Sequence, residues 1–163
     1  MITTDDDWER RVARLWDEFD SRDEAAFRAA MKELVAERPP EDPAGLFELA
    51  SALDATDQES EAAHLYRRAL AAGLAGPRRR QAVIQLASTL RNLGRSEESV
   101  SLLRAERAVA SDDLDDALAA FLALSLTDAG REREAVSLLL AALSRHLPRY
   151  RRSVERYAGD LLG

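Results

Sequence analysis

Few residues in this 163-residue chain could carry chemistry, and none is arranged to do so. Cysteine is absent, which excludes disulfides, zinc ribbons, iron–sulfur ligation and thiol catalysis. His64 and His146 are the two histidines and stand far apart, too few for a zinc triad. His64, between Ala63 and Leu65 in a helical pattern, reads as a packed or surface residue. His146 falls near a helix end, where positive charge suits the dipole. The acid pairs Asp112-Asp113 and Asp115-Asp116 fit the first turn of a helix for the opposite reason. No glycine-rich phosphate loop and no Gly-x-Ser-x-Gly elbow is present. The expectation is a protein that is not an enzyme, with no catalytic residues, no metal and no cofactor.

Charge narrows the partners. The net charge is −7, and through Ser60 there are seventeen acidic residues against seven basic, then thirteen against sixteen. A net acid lacks the phosphate-neutralising surplus that drives nucleic-acid binding. Arg78-Arg79-Arg80 opens a helix, where positive charge opposes the dipole, and is expected to point into solvent. No apolar run approaches the roughly 20 residues of a membrane span, and Met1-Ile2-Thr3-Thr4-Asp5 lacks the pattern of a secretory leader. A soluble, cytoplasmic protein is expected, with a protein or peptide partner, no nucleic acid and no membrane.

Apolar residues recur three and four apart, as in Val12, Leu15, Trp16 and Phe19, or Leu46, Leu49, Ala50 and Leu53, and no strand pattern intervenes. Pro43, Pro77 and Pro148 read as first-turn prolines, Ser21 with Glu24 as a capping box, and Gly94 and Gly130 as helix stops. Nine helices are predicted, near 5–19, 22–37, 43–56, 59–72, 77–93, 96–109, 112–129, 131–146 and 148–161. The fold class is all-α.

An internal repeat organises these helices. Leu49-Ala50, Leu53, Glu61-Ala62 and Tyr66 recur as Leu86-Ala87, Leu90, Glu98-Ser99 and Leu103, then as Leu122-Ala123, Leu126, Glu134-Ala135 and Leu139. Val12-Ala13, Trp16 and Glu24-Ala25 form a weaker first copy. Small residues on first helices (Ala13, Ala50, Ala87, Ala123) face small residues on second helices (Ala25, Ala62, Ser99, Ala135), which lets two backbones approach closely. One hairpin cannot cover its own apolar face, so hairpins must stack. Asp20 and Asp57 stand where later copies have glycine, and Glu106 stands where Ala69 and Ala142 stand.

The pattern resembles the tetratricopeptide repeat. It is carried by the three Leu-Ala pairs, Gly94 and Gly130, Glu61-Ala62, Glu134-Ala135, Tyr66 and Ala69. The whole chain is similar to short stand-alone bacterial proteins of that family whose role is unassigned. The resemblance implies a single α-solenoid domain over 1–163, with hairpins near 5–38, 43–73, 77–110 and 112–146 and a capping helix at 148–161. It also implies a non-catalytic adaptor or scaffold that binds a peptide or helix in a concave groove. A homo-oligomeric structural protein and a secretion or assembly chaperone are the alternatives.

Residues beside the packing stripe of each first helix would line that groove. They are Arg10, Arg14 and Asp17; Phe47, Ser51 and Asp54; Ile84, Ser88 and Arg91; and Ala120, Leu124 and Thr127. Phe47, Ile84 and Leu124 would act as apolar anchors and the arginines would set register. Phe47→Asp with Ile84→Asp is then expected to abolish capture and leave helicity intact. The lysine and asparagine clamp by which some relatives hold a terminal carboxylate is not present at these positions. In the last helix, Tyr150, Val154, Tyr157 and Leu161 form a stripe suited to capping, while Arg145, Arg149, Arg151, Arg152 and Arg156 offer a basic patch.

Overall fold

The computed structural model describes residues 4–163, with side chains from Asp5 onward; Met1 to Thr3, on which the reading of the leader rests, lie outside the described residues. Among the described residues all regular structure is helical. The helices are α1 (Thr4–Asp17), α2 (Glu24–Ala36), α3 (Pro43–Asp54), α4 (Glu59–Ala71), α5 (Pro77–Asn92), α6 (Ser96–Val109), α7 (Asp115–Asp128), α8 (Glu132–Ser144) and α9 (Arg151–Asp160), with a 3-10 turn at Phe19–Ser21. Two compact units are present, one up to Ala82 and one from Val83 to Gly163, and α5 crosses the boundary.

Local chemistry sets the helix ends. Asp42 caps α3 by accepting the Gly45 N–H at 2.7 Å, with Pro43 in the first turn. Three turns close alike: Gln58 N–H donates to Leu53 C=O, Arg95 to Leu90 and Arg131 to Leu126, at 2.9, 2.8 and 2.8 Å. Each spans five residues and needs a left-handed residue just before the donor, supplied by Asp57 (φ 59°), Gly94 (75°) and Gly130 (73°). Asp tolerates that conformation better than most side chains, so Asp57 does the work of the glycines. Two expectations fail. The cap of α2 is Asp23, which accepts from Ala26 N–H at 3.0 Å, while the Ser21 hydroxyl donates back to Glu18 C=O, so no Ser21–Glu24 box forms. Pro148 lies in a connection, because Tyr150 takes φ 65° and α9 begins only at Arg151.

In the first unit α2 packs on α1 and α3, and α3 on α4. Ala50 and Ala62 are fully buried where the α3–α4 hairpin closes. The α1–α2 hairpin is built otherwise. Ala13 and Ala25 are exposed, and Trp8, Val12, Leu15, Phe27 and Met31 form its core. Trp8, Val12 and Leu15 repeat the spacing of buried Leu46, Ala50 and Leu53, so the first copy is shifted from the register read in the sequence. In the second unit Ala87, Ser99, Ala123 and Ala135 are all buried. Ser99 keeps its hydroxyl satisfied by donating to Ala87 C=O at 2.7 Å and pairing with the Ser125 hydroxyl at 2.8 Å.

Arg38 ties the end of α2 to the Asp42 cap (2.7 Å) and to Asp5 (2.6 Å), lying 4.4 Å over the Trp8 ring. Burial pushes the Asp42 carboxyl up, but the Arg38 guanidinium and the Gly45 N–H outweigh it, and the net shift is downward. A carboxyl held low contributes stability that is complete above the ordinary carboxylate value near 4 and is lost as pH falls through and below it. Asp42→Asn is therefore expected to flatten the acid limb of a Tm-against-pH curve between about pH 5 and pH 2. Parallel curves for the two proteins would contradict this.

Candidate interaction surfaces

In the first unit the faces of α1 and α3 differ sharply. Arg10 is exposed and held by Asp7 at 3.0 Å, and Arg14 and Asp17 are exposed. Arg14 rims an open hollow floored by Leu15, Ala30 and Leu34. Phe47 and Ser51, by contrast, are only 5% and 7% exposed. The Tyr66 hydroxyl donates to Ser51 at 3.3 Å and lies 3.5 Å from Asp54, while the Phe47 ring stands 6.2 Å from that of Tyr66. Burial raises the Tyr66 phenol well above its ordinary range, so the hydroxyl stays protonated as a donor.

Over this layer lies Arg78. Its guanidinium meets both Glu9 oxygens at 2.8 and 2.6 Å and Glu48 Oε1 at 2.8 Å, with its carbon 6.0 Å from the Phe47 ring centre. Trp16 Nε1–H donates to the other Glu48 oxygen at 2.9 Å. The expectation that Arg78-Arg79-Arg80 points into solvent is overturned. Arg78 is half-buried, Arg80 is 4% exposed, and Arg79 and Arg80 are also engaged. An unfavourable dipole costs about 0.3–1 kcal/mol, less than charge-assisted bonds to a buried carboxylate supply. Composition could not reveal this network, because Glu9, Glu48 and Arg78 meet only through the fold.

In the second unit Ile84 is buried in a core with Val100, Leu103, Leu118 and Leu122. Ser88 is half-buried. Arg91 Nε stands 2.6 Å from Asp128 Oδ2, joining α5 to the end of α7. Leu124 is 46% exposed, between exposed Ala120 and Thr127. Of the three apolar anchors, Leu124 alone reaches the surface, and Phe47 and Ile84 are core. The double substitution Phe47→Asp with Ile84→Asp would place a charge in each of two cores, so it cannot leave the fold intact as the sequence suggested.

His146 Nε2 lies 2.8 Å from Asp116 Oδ2, and Arg145 pairs with the same carboxylate. His146 and Arg145 together hold the Asp116 carboxyl below its usual range. Asp112 and Asp115 receive local N–H groups at the start of α7, as acid near a helix start should. His64 is exposed beside Lys32 and Glu61 on the rim of an open apolar hollow of about 400 Å³, floored by Leu49, Leu53 and Leu65. In the expected basic patch, Arg151 pairs with Glu155 at 2.9 Å and Arg156 lies 4.9 Å over the Tyr157 ring. Among the described residues no group of three or more His, Asp or Glu is placed to hold a metal ion. No described helix is long and apolar enough to cross a membrane.

Residues 43–161 match the family described as Tetratrico peptide repeat. Two solved structures are similar in fold: nearly identical TPR-like repeats of a Podosopora anserina kinesin light chain candidate, and a single-residue variant of the same protein. Each shares 20% identity at a TM-score of 0.73, over 94% of this chain and 90% of that one. No curated protein matches. The fold class read from the sequence, all-α helical-hairpin repeats of the α-solenoid kind, is the one found.

Proposed function

Because the chain belongs to the tetratricopeptide repeat family, we propose that it works as a non-catalytic adaptor or scaffold that takes a peptide or amphipathic helix of a partner protein on the exposed faces of its first helices. Repeats of this family generally mediate protein–protein interaction. The observation that supports the surface is Leu124, a large apolar side chain left open between small neighbours, with the Arg91–Asp128 pair beside it. Such a strip seats one apolar side chain of a ligand, and Arg91 offers a guanidinium to an acidic group next to it. Ser88 supplies a small polar contact on the neighbouring first helix. On the first unit, taken by itself, Arg14 is an exposed cation of α1 that could meet an acidic group, beside Arg10, which is exposed but held by Asp7. Phe47, Ser51 and Ile84 support these faces from beneath.

Affinity purification from native lysate followed by mass spectrometry tests the reading, with Leu124→Asp as the paired bait. Leu124 is exposed, so the variant is expected to fold, with helicity unchanged and stability within about 0.5 kcal/mol. A partner retained by the native chain and reduced at least tenfold by the variant is the expected result, since losing a buried anchor costs about 1.4 kcal/mol or more. Equal retention by both baits would overturn the placement of the surface.

A further inference from the structure

The burial pattern of α8 is inverted relative to the second helices before it. In α6, Val100 and Leu103 are buried while Ser101 and Ala108 are exposed. In α4, Ala63 and Tyr66 are buried while His64 and Ala71 are exposed. At the matching positions of α8, Val136 and Leu139 are 46% and 42% exposed, and Ser137 and Ser144 are buried. The cause is what packs on each helix. Val100 and Leu103 share a core with Leu118 and Leu122 of α7, the first helix of the next hairpin. The helix after α8 docks on the other side. The Ser137 hydroxyl donates to Ala158 C=O at 2.7 Å, the Ser144 hydroxyl to Glu155 at 3.3 Å, and Arg133 Nε to Leu161 C=O at 3.1 Å. Tyr150, in the left-handed conformation, turns the chain into α9. Of the expected stripe, Val154 and Leu161 are half-buried while Tyr150 and Tyr157 stay 77% and 55% exposed, so α9 lies on the Ser137–Ser144 side of α8 and leaves the side of Val136 and Leu139 uncovered. The face that α7 covers on α6 is thus open on α8, and Leu143, 52% exposed, extends it.

We infer that this face is covered by a second copy of the chain, α8 packing antiparallel on α8 about a twofold axis. Val136, Leu139 and Leu143 form an i, i+3, i+7 stripe that is its own complement, because antiparallel pairing sets Val136 of one copy on Leu143 of the other and the two Leu139 side chains at the axis. Charge fixes the direction. Exposed Glu132 stands one turn before Val136, and exposed Arg149 follows Leu143, while Arg145 and His146 are taken up by Asp116. Antiparallel pairing brings acid to base at both ends, whereas parallel pairing would set like on like. A stripe this short falls in the small, transient class of interfaces, below about 1,200 Å². The dimer is therefore one that forms at tens to hundreds of micromolar and dissociates on dilution. This surface is distinct from that around Leu124.

Sedimentation velocity of the full chain from about 1 μM to about 1 mM tests it. The native protein is expected to pass from monomer to dimer across that range. Leu139→Glu with Leu143→Glu should remain monomeric throughout with an unchanged circular dichroism spectrum, and the milder Leu139→Ala should shift the midpoint upward about tenfold. Glu132→Arg should weaken the dimer, and adding Arg149→Glu should restore it. Val109→Glu, on another exposed site, should change nothing. A native chain that stays monomeric at the highest concentration overturns the inference and leaves the open face to a helix of another protein. A dimer that survives both stripe substitutions overturns it equally.

Discussion

Arg78→Met is expected to lower the unfolding free energy by about 3 kcal/mol, with a fall in the denaturant midpoint at unchanged slope. Glu48 is 5% exposed, and its carboxylate is satisfied by two groups, Trp16 Nε1–H and the Arg78 guanidinium. Removing the guanidinium strands a buried negative charge with a single neutral donor, and stranding of that kind carries most of the cost of breaking a buried pair. The contact to Glu9 adds little. The Glu9 side chain is 39% exposed, water screens it, and Glu9→Gln should cost less than about 1 kcal/mol. Glu48→Gln on the Arg78→Met background should recover most of the loss, because a neutral amide needs no counter-ion. A loss below about 1 kcal/mol for Arg78→Met would show that Glu48 finds water or another partner once the arginine is gone.

Phe27→Ala should cost about 4 kcal/mol. The ring is fully buried, 5.0 Å from the Trp16 ring and edge-on to Phe19 at 4.8 Å, and Met31 lies one turn further along in the same core. Truncation removes the apolar transfer energy, both aromatic contacts and the filling of a space that neighbouring helices cannot close. Ala25→Ser is the contrasting substitution. Ala25 is exposed, and the change should stay within about 0.5 kcal/mol. Chemical denaturation of the two variants decides how the first hairpin is built. Comparable losses would mean that Ala25, not Phe27, sits where the helices meet.

Helix existence and most boundaries were legible because local signals set them. Asp42-Pro43 starts α3, and Gly94 and Gly130 stop α5 and α7 with the same bond that Asp57 supports after α3. The small-residue register was legible where copies agree, at Ala50 with Ala62, Ala87 with Ser99 and Ala123 with Ala135. It failed in the first hairpin, where large side chains at Val12 and Phe27 fill what alanines fill elsewhere and Ala13 and Ala25 carry the pattern only by coincidence of spacing. The candidate site was legible in part. Leu124 and Arg91 stand where helical periodicity put them. Phe47 and Ile84 looked alike in sequence but are covered, because a first helix in stacked hairpins is flanked on several sides and one-sided amphipathicity does not describe it. The Glu9–Arg78–Glu48 network joins three helices across long sequence separations, and the turn at Tyr150 depends on backbone geometry that no motif announces.

Hydrogen–deuterium exchange of the chain with and without its captured partner tests most directly whether exposed first-helix faces are the working surface. Slowed exchange is predicted in α7 around Leu124 and in the Ser88–Arg91 segment of α5, with α8 and α9 unchanged at concentrations low enough to keep the chain monomeric. Protection confined to α8 and α9, or no protection anywhere on α7, would contradict the proposed mode of binding.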